Sequence, residues 1–252
     1  MQTLNELLRK IDGKKRTLDA HRPLPSPVLR KLKEYFDLEW TYTSNAIEGS
    51  TLSRKETLVI LKHGLTVKGK SLREHLEVVN HKEAIDCVEK LANLQERISE
   101  ETIKQIQKLV TMRTIDSENT GEYRQIQVYI AGVKHTPPGP ADIPRLMKGF
   151  THWLYSQEAN SLHPVQKSSL AHHRFVFIHP FVDGNGRTAR LLMNLFLLRD
   201  GYPIAIIRET DREDYYKALG EADERNTEGF IQLVAESVDR TMDQYLNSIP
   251  KK

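Results

Sequence analysis

Apolar residues recur at three- and four-residue spacing through most of the chain, the period of one helix face, and the breaks between runs mark helix ends. An amphipathic run opens the sequence and breaks at Gly13. Pro23, Pro25 and Pro27 then prevent a continuous helix across the next stretch. From residue 28 to about 94 the helical period holds, divided at Glu48-Gly49 and at His63-Gly64 into separate short helices, and another helix follows Glu101. Over residues 122–130 the period changes. Tyr123, Ile126, Val128 and Ile130 sit among Gln and Arg in a β-like pattern, and Ala131-Gly132 offers a turn. Pro137-Pro138-Gly139-Pro140 must end the return strand because proline removes ladder donors. Helical patterns resume over 143–155, 165–177 and 187–199, the last closing at Asp200-Gly201, and two more follow Asp211 and Glu228. The fold expected is all-α, mainly helical, with one small β-hairpin.

Composition narrows the function. At 252 residues and 38% apolar content, the chain can build one sizeable core, or one core with a helical extension. The net charge of +3 comes from 37 Lys/Arg mixed with 34 Asp/Glu, with no basic block, so nucleic acid is not an expected partner. The single cysteine, Cys87, cannot form an internal disulfide and is expected as a buried structural thiol in a reducing compartment. The amino terminus lacks the apolar stretch of a signal peptide, and LLMNLFLL is too short to cross a bilayer. A cytoplasmic protein without a membrane role is therefore expected. His152, His163, His172 and His173 match no standard zinc spacing. LSRKETLVILKHGLTV shows no basic face of the kind a helix-turn-helix DNA reader presents.

The chemistry concentrates in HPFVDGNGRTAR, residues 179–190, between two helical patterns. Gly184 and Gly186 allow positive φ and close backbone approach, and the helix that follows begins with unpaired N–H groups that favour an anion. Arg187 and Arg190 lie three apart, on one side of that helix, where both can reach phosphate oxygens. Asp183 is placed to hold a divalent metal on the same phosphates, and His179 supplies a base. Asp-Gly and Asn-Gly are also common turn signals, and His-Pro before a helix is often a packed corner, so spacing alone leaves both readings open.

The string nevertheless resembles the Fic signature HPFx(D/E)GNGRxxR at every specified position, and AHHRFVFIHPF, RLLMNLFLLRDGYPIAII, EYRQIQVYIAG and KHTPPGPADIP resemble its surroundings. The similarity runs from about Leu32 to Tyr245. It implies a mainly helical Fic fold with a β-hairpin flap over the site, residues 1–95 forming an N-terminal helical region and 96–245 the catalytic core. It also implies transfer of AMP from ATP to a Ser, Thr or Tyr hydroxyl of a target protein. His179 would then be the base, and Asp183 would bind Mg2+, or Mn2+ in its place. Asn185 with the Gly184 and Gly186 backbone would orient the α-phosphate, and Arg187 and Arg190 would hold the outer phosphates. By the same resemblance, Val128, Tyr129, Ile130 and Ala131 form the flap, which lines up an extended target segment by strand addition. Tyr215 and Tyr216 contribute to the adenine pocket, while Asp223 stands where some relatives carry asparagine.

Upstream, Ser44-Asn45-Ala46-Ile47-Glu48-Gly49 resembles the Fic inhibitory motif (S/T)xxxE(G/N). On a helix, Ser44 and Glu48 share a face. The resemblance implies that Glu48 pairs with Arg190 and restrains transfer. Self-modification is expected, and self-association is left open. Two alternatives stand beside this reading. One keeps the site but removes AMP, or moves another nucleotide or phosphate group. The other is a non-enzymatic DNA-binding regulator.

Overall fold

The computed structural model describes residues 2–94, 96–130 and 135–249. Helix α1 (Leu4–Asp19) starts at Thr3, whose hydroxyl and the Glu6 carboxylate close a capping box. It does not break at Gly13 as the sequence pattern suggests. A helical glycine costs about 1 kcal/mol relative to alanine. That cost is outweighed because Leu7, Leu8, Ile11 and Leu18 are buried, and Lys10 and Lys14 both pair with Asp239 across the packing surface.

After the proline crossing, α2 (Ser26–Ile47) begins with Pro27 in its first turn, where a missing N–H costs nothing. Helix α3 (Arg54–His63) is capped by Ser53 and Glu56 and closed by Gly64 at φ 62°. Helices α4 (Leu72–Leu94) and α5 (Glu100–Thr111) follow. The breaks expected at Glu48-Gly49 and His63-Gly64 are both present. Cys87, expected as a buried thiol, is only partly buried on α4, and burial raises its pKa.

Residues 122–130 form no strand; no strand occurs among the described residues, and the Ala131-Gly132 turn lies outside them. The segment is instead pinned by Arg124, which bonds to the His179 and Pro180 carbonyls. Helix α6 (Ile143–Trp153) leads to a short α7 (Gln157–Ser161) that the periodicity did not signal, capped by Ser156. Then come α8 (Pro164–Ile178), α9 (Asn185–Arg199), α10 (Arg212–Asp223) and α11 (Glu228–Asn247).

Helix α9 is the axis of the molecule. Every residue from Arg187 to Leu197 is buried, the signature of a helix apolar or satisfied on all sides. It packs on α8, α4, α5 and α2, while α1 lies along α11. One connected core joins Ile11, Trp40, Ile47, Ile85, Phe175 and Leu195, so both ends of the chain share it. A smaller cluster of Leu52, Ile60 and Val78 seats the segment that follows α2.

This packing predicts that α1 is a structural part of the core. Ile11 is fully buried, so Ile11→Ala is expected to cost about 2–5 kcal/mol. Urea denaturation would measure it, and a loss under 0.5 kcal/mol would mean that α1 is loosely attached.

Candidate active site

The signature loop is shaped by two left-handed residues. His179 closes α8 at φ 49°, ψ 58°, its N–H donating to the Phe175 carbonyl at 3.1 Å. Such a conformation costs a non-glycine residue roughly 1–2 kcal/mol, so the surroundings must hold it. Phe181 supplies an anchor, fully buried against Phe175 and Tyr123. Asn185 supplies a clasp: its Oδ1 accepts from the Phe181 N–H at 3.0 Å, and its Nδ2 donates to the Phe181 carbonyl at 2.8 Å. Both side-chain groups of Asn185 are thus spent on the loop backbone that shapes the cradle.

Gly184, at φ 78°, is the N-cap of α9, which begins at Asn185, two residues earlier than the periodicity suggested. A Cβ there would lie 2.7 Å from Thr111 Cγ2, so glycine is required by both space and conformation. No side chain caps this helix. Its first N–H groups and positive dipole end therefore face the site, an arrangement suited to phosphate.

Arg190 lies one turn into α9 and is 3% exposed. Its Nε donates to Ser44 Oγ at 3.0 Å, and its Nη2 donates to the Ser44 carbonyl at 2.8 Å and to Glu48 Oε1 at 2.7 Å. Its Nη1 donates to the Tyr215 hydroxyl at 3.3 Å. Burial opposes the charge, but Glu48 and Tyr215 outweigh it and push the arginine pKa up. Ser44 sits in the last turn of α2 and Glu48 is its C-cap, so neither is an N-terminal cap. A Cβ on Gly186 would lie 2.2 Å from Glu48 Oε1. The carboxylate therefore occupies the space beside the α9 N-terminus that an anion would take.

Asp183 and Arg187 form a second cluster. Arg187, buried at 3% exposure, donates to Asp183 Oδ1 at 3.2 Å and lies 3.6 Å from Glu77 Oε1. Arg73 on α4 pairs with the other Asp183 oxygen at 2.9 Å. Arg187 and Arg190, expected side by side for phosphate, thus hold separate carboxylates here.

The cavity beside the Glu48–Arg190 pair is lined by those two residues with His179, Gly186, Asp223 and Ile130, among others, and has a volume of about 100 Å3; Asp183 and Arg187 do not line it. Ligand sites commonly measure roughly 300–1,000 Å3, so the closed Glu48–Arg190 pair leaves little room. Tyr215 and Tyr216 both line it. Tyr215 is fully buried, its hydroxyl meeting His172 Nε2 at 2.9 Å, and Tyr216 lies under Arg212. Ile130 lines the cavity, Val128 is partly buried, Tyr129 is 80% exposed, and Ala131 lies outside the described residues.

Sequence reasoning missed several contributors. Arg124, 1% exposed, donates through its N–H to the Pro180 carbonyl at 3.0 Å, through Nε to the His179 carbonyl at 2.8 Å and through Nη1 to the Ile126 carbonyl at 2.8 Å. It fastens the extended segment to the signature loop. Arg212 Nε donates to the Ile47 carbonyl at 2.9 Å, satisfying the open C-terminal end of α2. His172 is fully buried, and burial with the nearby Arg190 keeps it neutral. Arg73 and Glu77 were missed as well. Each reads as an ordinary surface charge in the sequence, and only their distant partners distinguish them.

The Fic/DOC family profile matches residues 97–197. Curated relatives named protein adenylyltransferase Fic are 41% identical over 244 residues in Nematostella vectensis, covering 96% of this chain and 56% of that protein, and 40% identical over 249 residues in Drosophila grimshawi, covering 98% and 50%. The chain spans about half the length of the curated relatives it matches. Among solved structures, Fic-1 from C. elegans superposes with a TM-score of 0.88 at 30% identity, over 97% of this chain and 72% of that one. A Fic domain containing signaling protein from Bacteroides thetaiotaomicron gives 0.88 at 25% identity, over 98% and 100%. This chain belongs to the Fic/DOC family.

The pKa of His179 is lowered to about 4, first by burial and then by Arg124, against the opposing influence of Glu48 and the Val176 backbone. An NMR titration of the imidazole should therefore show a neutral ring from pH 8 to about 5 and a midpoint near 4. Because the folded pKa lies below the unfolded value, this group's contribution to stability is complete above about pH 6.5. It is lost as pH falls toward 4. A midpoint near 6.5 would contradict the buried setting described.

Proposed function

We propose that this chain transfers AMP from Mg-ATP to a hydroxyl on a protein, and that α2 restrains the transfer through Glu48. The observation that carries this reading is the meeting of His179 and the uncapped N-terminus of α9 at one cavity, with Glu48 holding the arginine that an outer phosphate would need. The names of the relatives, protein adenylyltransferase Fic, point the same way.

In the proposed step the hydroxyl oxygen attacks the α-phosphorus while His179 takes its proton. The bond from the α-phosphorus to the bridging oxygen breaks, and pyrophosphate leaves. His179 is neutral at pH 7 and so free to accept. A bound triphosphate brings negative charge that raises its proton affinity toward the working range. The α9 N–H groups and Arg187 stabilise phosphate charge by fixed position, the main source of rate in such transfers. Arg190 joins them once Glu48 releases it.

Asp183 would hold the metal. No group of three or more His, Cys, Asp or Glu able to cage an ion occurs among the described residues. A single carboxylate beside the α9 N-terminus would suit Mg2+, or Mn2+, which commonly keeps water and phosphate oxygens as its other ligands. The ion's part is to neutralise outer-phosphate charge. Residues 1–95 carry the restraint and 96–245 the transfer. The expected flap, of which residues 128–130 are described, receives an extended target segment, and the exposure of Ile126 and Tyr129, at 61% and 80%, leaves their side chains open to one.

A second reading, removal of AMP from a modified protein, draws on Glu48 itself. Its side chain is 35% exposed beside the anion seat, where a carboxylate could activate water.

Intact mass of Glu48→Gly protein after incubation with Mg-ATP is expected to show added AMP, absent from the parent. Adding His179→Ala should slow it by about 10²- to 10⁴-fold. A gain of phosphate instead of AMP, or equal gain in parent and mutant, would overturn the transfer or the restraint respectively.

A further inference from the structure

The carboxylate assigned to the metal is already bound. Asp183 Oδ2 accepts from Arg73 Nη2 at 2.9 Å, while Oδ1 accepts from Arg187 Nη2 at 3.2 Å and from the Gly184 N–H at 2.5 Å. Arg73 comes from the first turn of α4, 110 positions earlier and outside the segment that the family profile matches. Its Nε donates to Glu77 Oε1 at 3.1 Å, one helical turn on, and the same oxygen lies 3.6 Å from Arg187 Nη1. Arg73, Asp183, Arg187 and Glu77 therefore close a ring of alternating charge beside the start of α9.

The members of this ring are not alike. The Arg187 side chain is 3% exposed and lies within α9, whereas the Arg73 side chain is 58% exposed and leans in from the surface. Arg73 can leave Asp183 without losing Glu77, because its Nε contact does not depend on the Asp183 bond. Arg187 has no such exit to solvent.

We infer that Arg73 is a positioning residue that stands in for the divalent ion, holding the Asp183 carboxylate until an ion displaces it. The inference rests on Asp183 being the metal ligand, as in the function proposed above. Two effects act together. An arriving ion competes with Arg73 at Oδ2, and it meets a guanidinium that Glu77 keeps nearby. With Arg187 and the positive end of α9 also facing Asp183, the free site disfavours a second full positive charge until phosphates arrive. Arg73 thereby links ion binding to nucleotide binding: without phosphate the carboxylate stays with its arginines, and with phosphate the added negative charge lets the ion replace Arg73. An exposed ion pair shifts an equilibrium by up to about fivefold, and removing the repulsion adds to this, so the expected total is about three- to tenfold.

The test is a titration of the full chain with Mn2+ alone, free ion being read by electron paramagnetic resonance. Arg73→Ala, on an exposed helical position, should bind Mn2+ about three- to tenfold more tightly than the parent, with Arg73→Lys between them because it keeps the charge but not the fork. Asp183→Asn should abolish the difference. Equal or weaker affinity in Arg73→Ala, including no detectable site in either protein, overturns the inference. Tight binding retained in Asp183→Asn also overturns it, by placing the ion elsewhere. Neither result touches AMP transfer, which the mass measurement on Glu48→Gly reads independently.

Discussion

The burial of one guanidinium organises this protein. Arg190 lies inside the central helix, and a buried charge is tolerated only when it is paired and its N–H groups are satisfied. α9 has no partners of its own to offer. They come from α2, through the Ser44 hydroxyl, the Ser44 carbonyl and Glu48, and from α10, through Tyr215. Docking of α2 and the electrostatics of the site are therefore one event. Whatever draws Arg190 away from Glu48 also loosens the end of α2, whose last open carbonyl is held by Arg212 from the same helix that carries Tyr215. Behind Tyr215, His172 accepts or donates at the hydroxyl without adding charge, because burial and Arg190 hold it neutral.

Around this pairing, the loop from His179 to Gly184 stores local strain in return for position. His179 sits in a left-handed conformation where its imidazole borders the cavity, and the cost is met by the Phe181 anchor, the Asn185 clasp and the two bonds from Arg124 to the His179 and Pro180 carbonyls. The same loop delivers Gly184 to the start of α9, so the His179 imidazole and the uncapped helix end are fixed by one piece of backbone. Glycine at 184 and 186 serves two different needs. The first meets a positive φ and the wall of Thr111, and the second leaves space for the Glu48 carboxylate.

Local information in the sequence determined much of this. Helix positions follow from a short-range period, which is why α2 to α6 and α8 to α11 lie where the apolar spacing places them, and why breaks fall at Glu48-Gly49, His63-Gly64 and Gly201. The signature residues were legible because base, carboxylate, glycines and arginines lie within one contiguous stretch. Tertiary structure decided what depends on distance along the chain. Helix α1 runs through Gly13 because α11 covers it, a contact more than 200 residues away that no local propensity contains. The contacts of Arg73 with Asp183, of Arg124 with His179 and of Arg212 with Ile47 are equally hidden, since a lone arginine in a sequence looks the same whether it meets water or a carboxylate. Sequence fixes which side chains are available and the period on which they recur. Only packing decides which charges leave water, and hence which pairs must form.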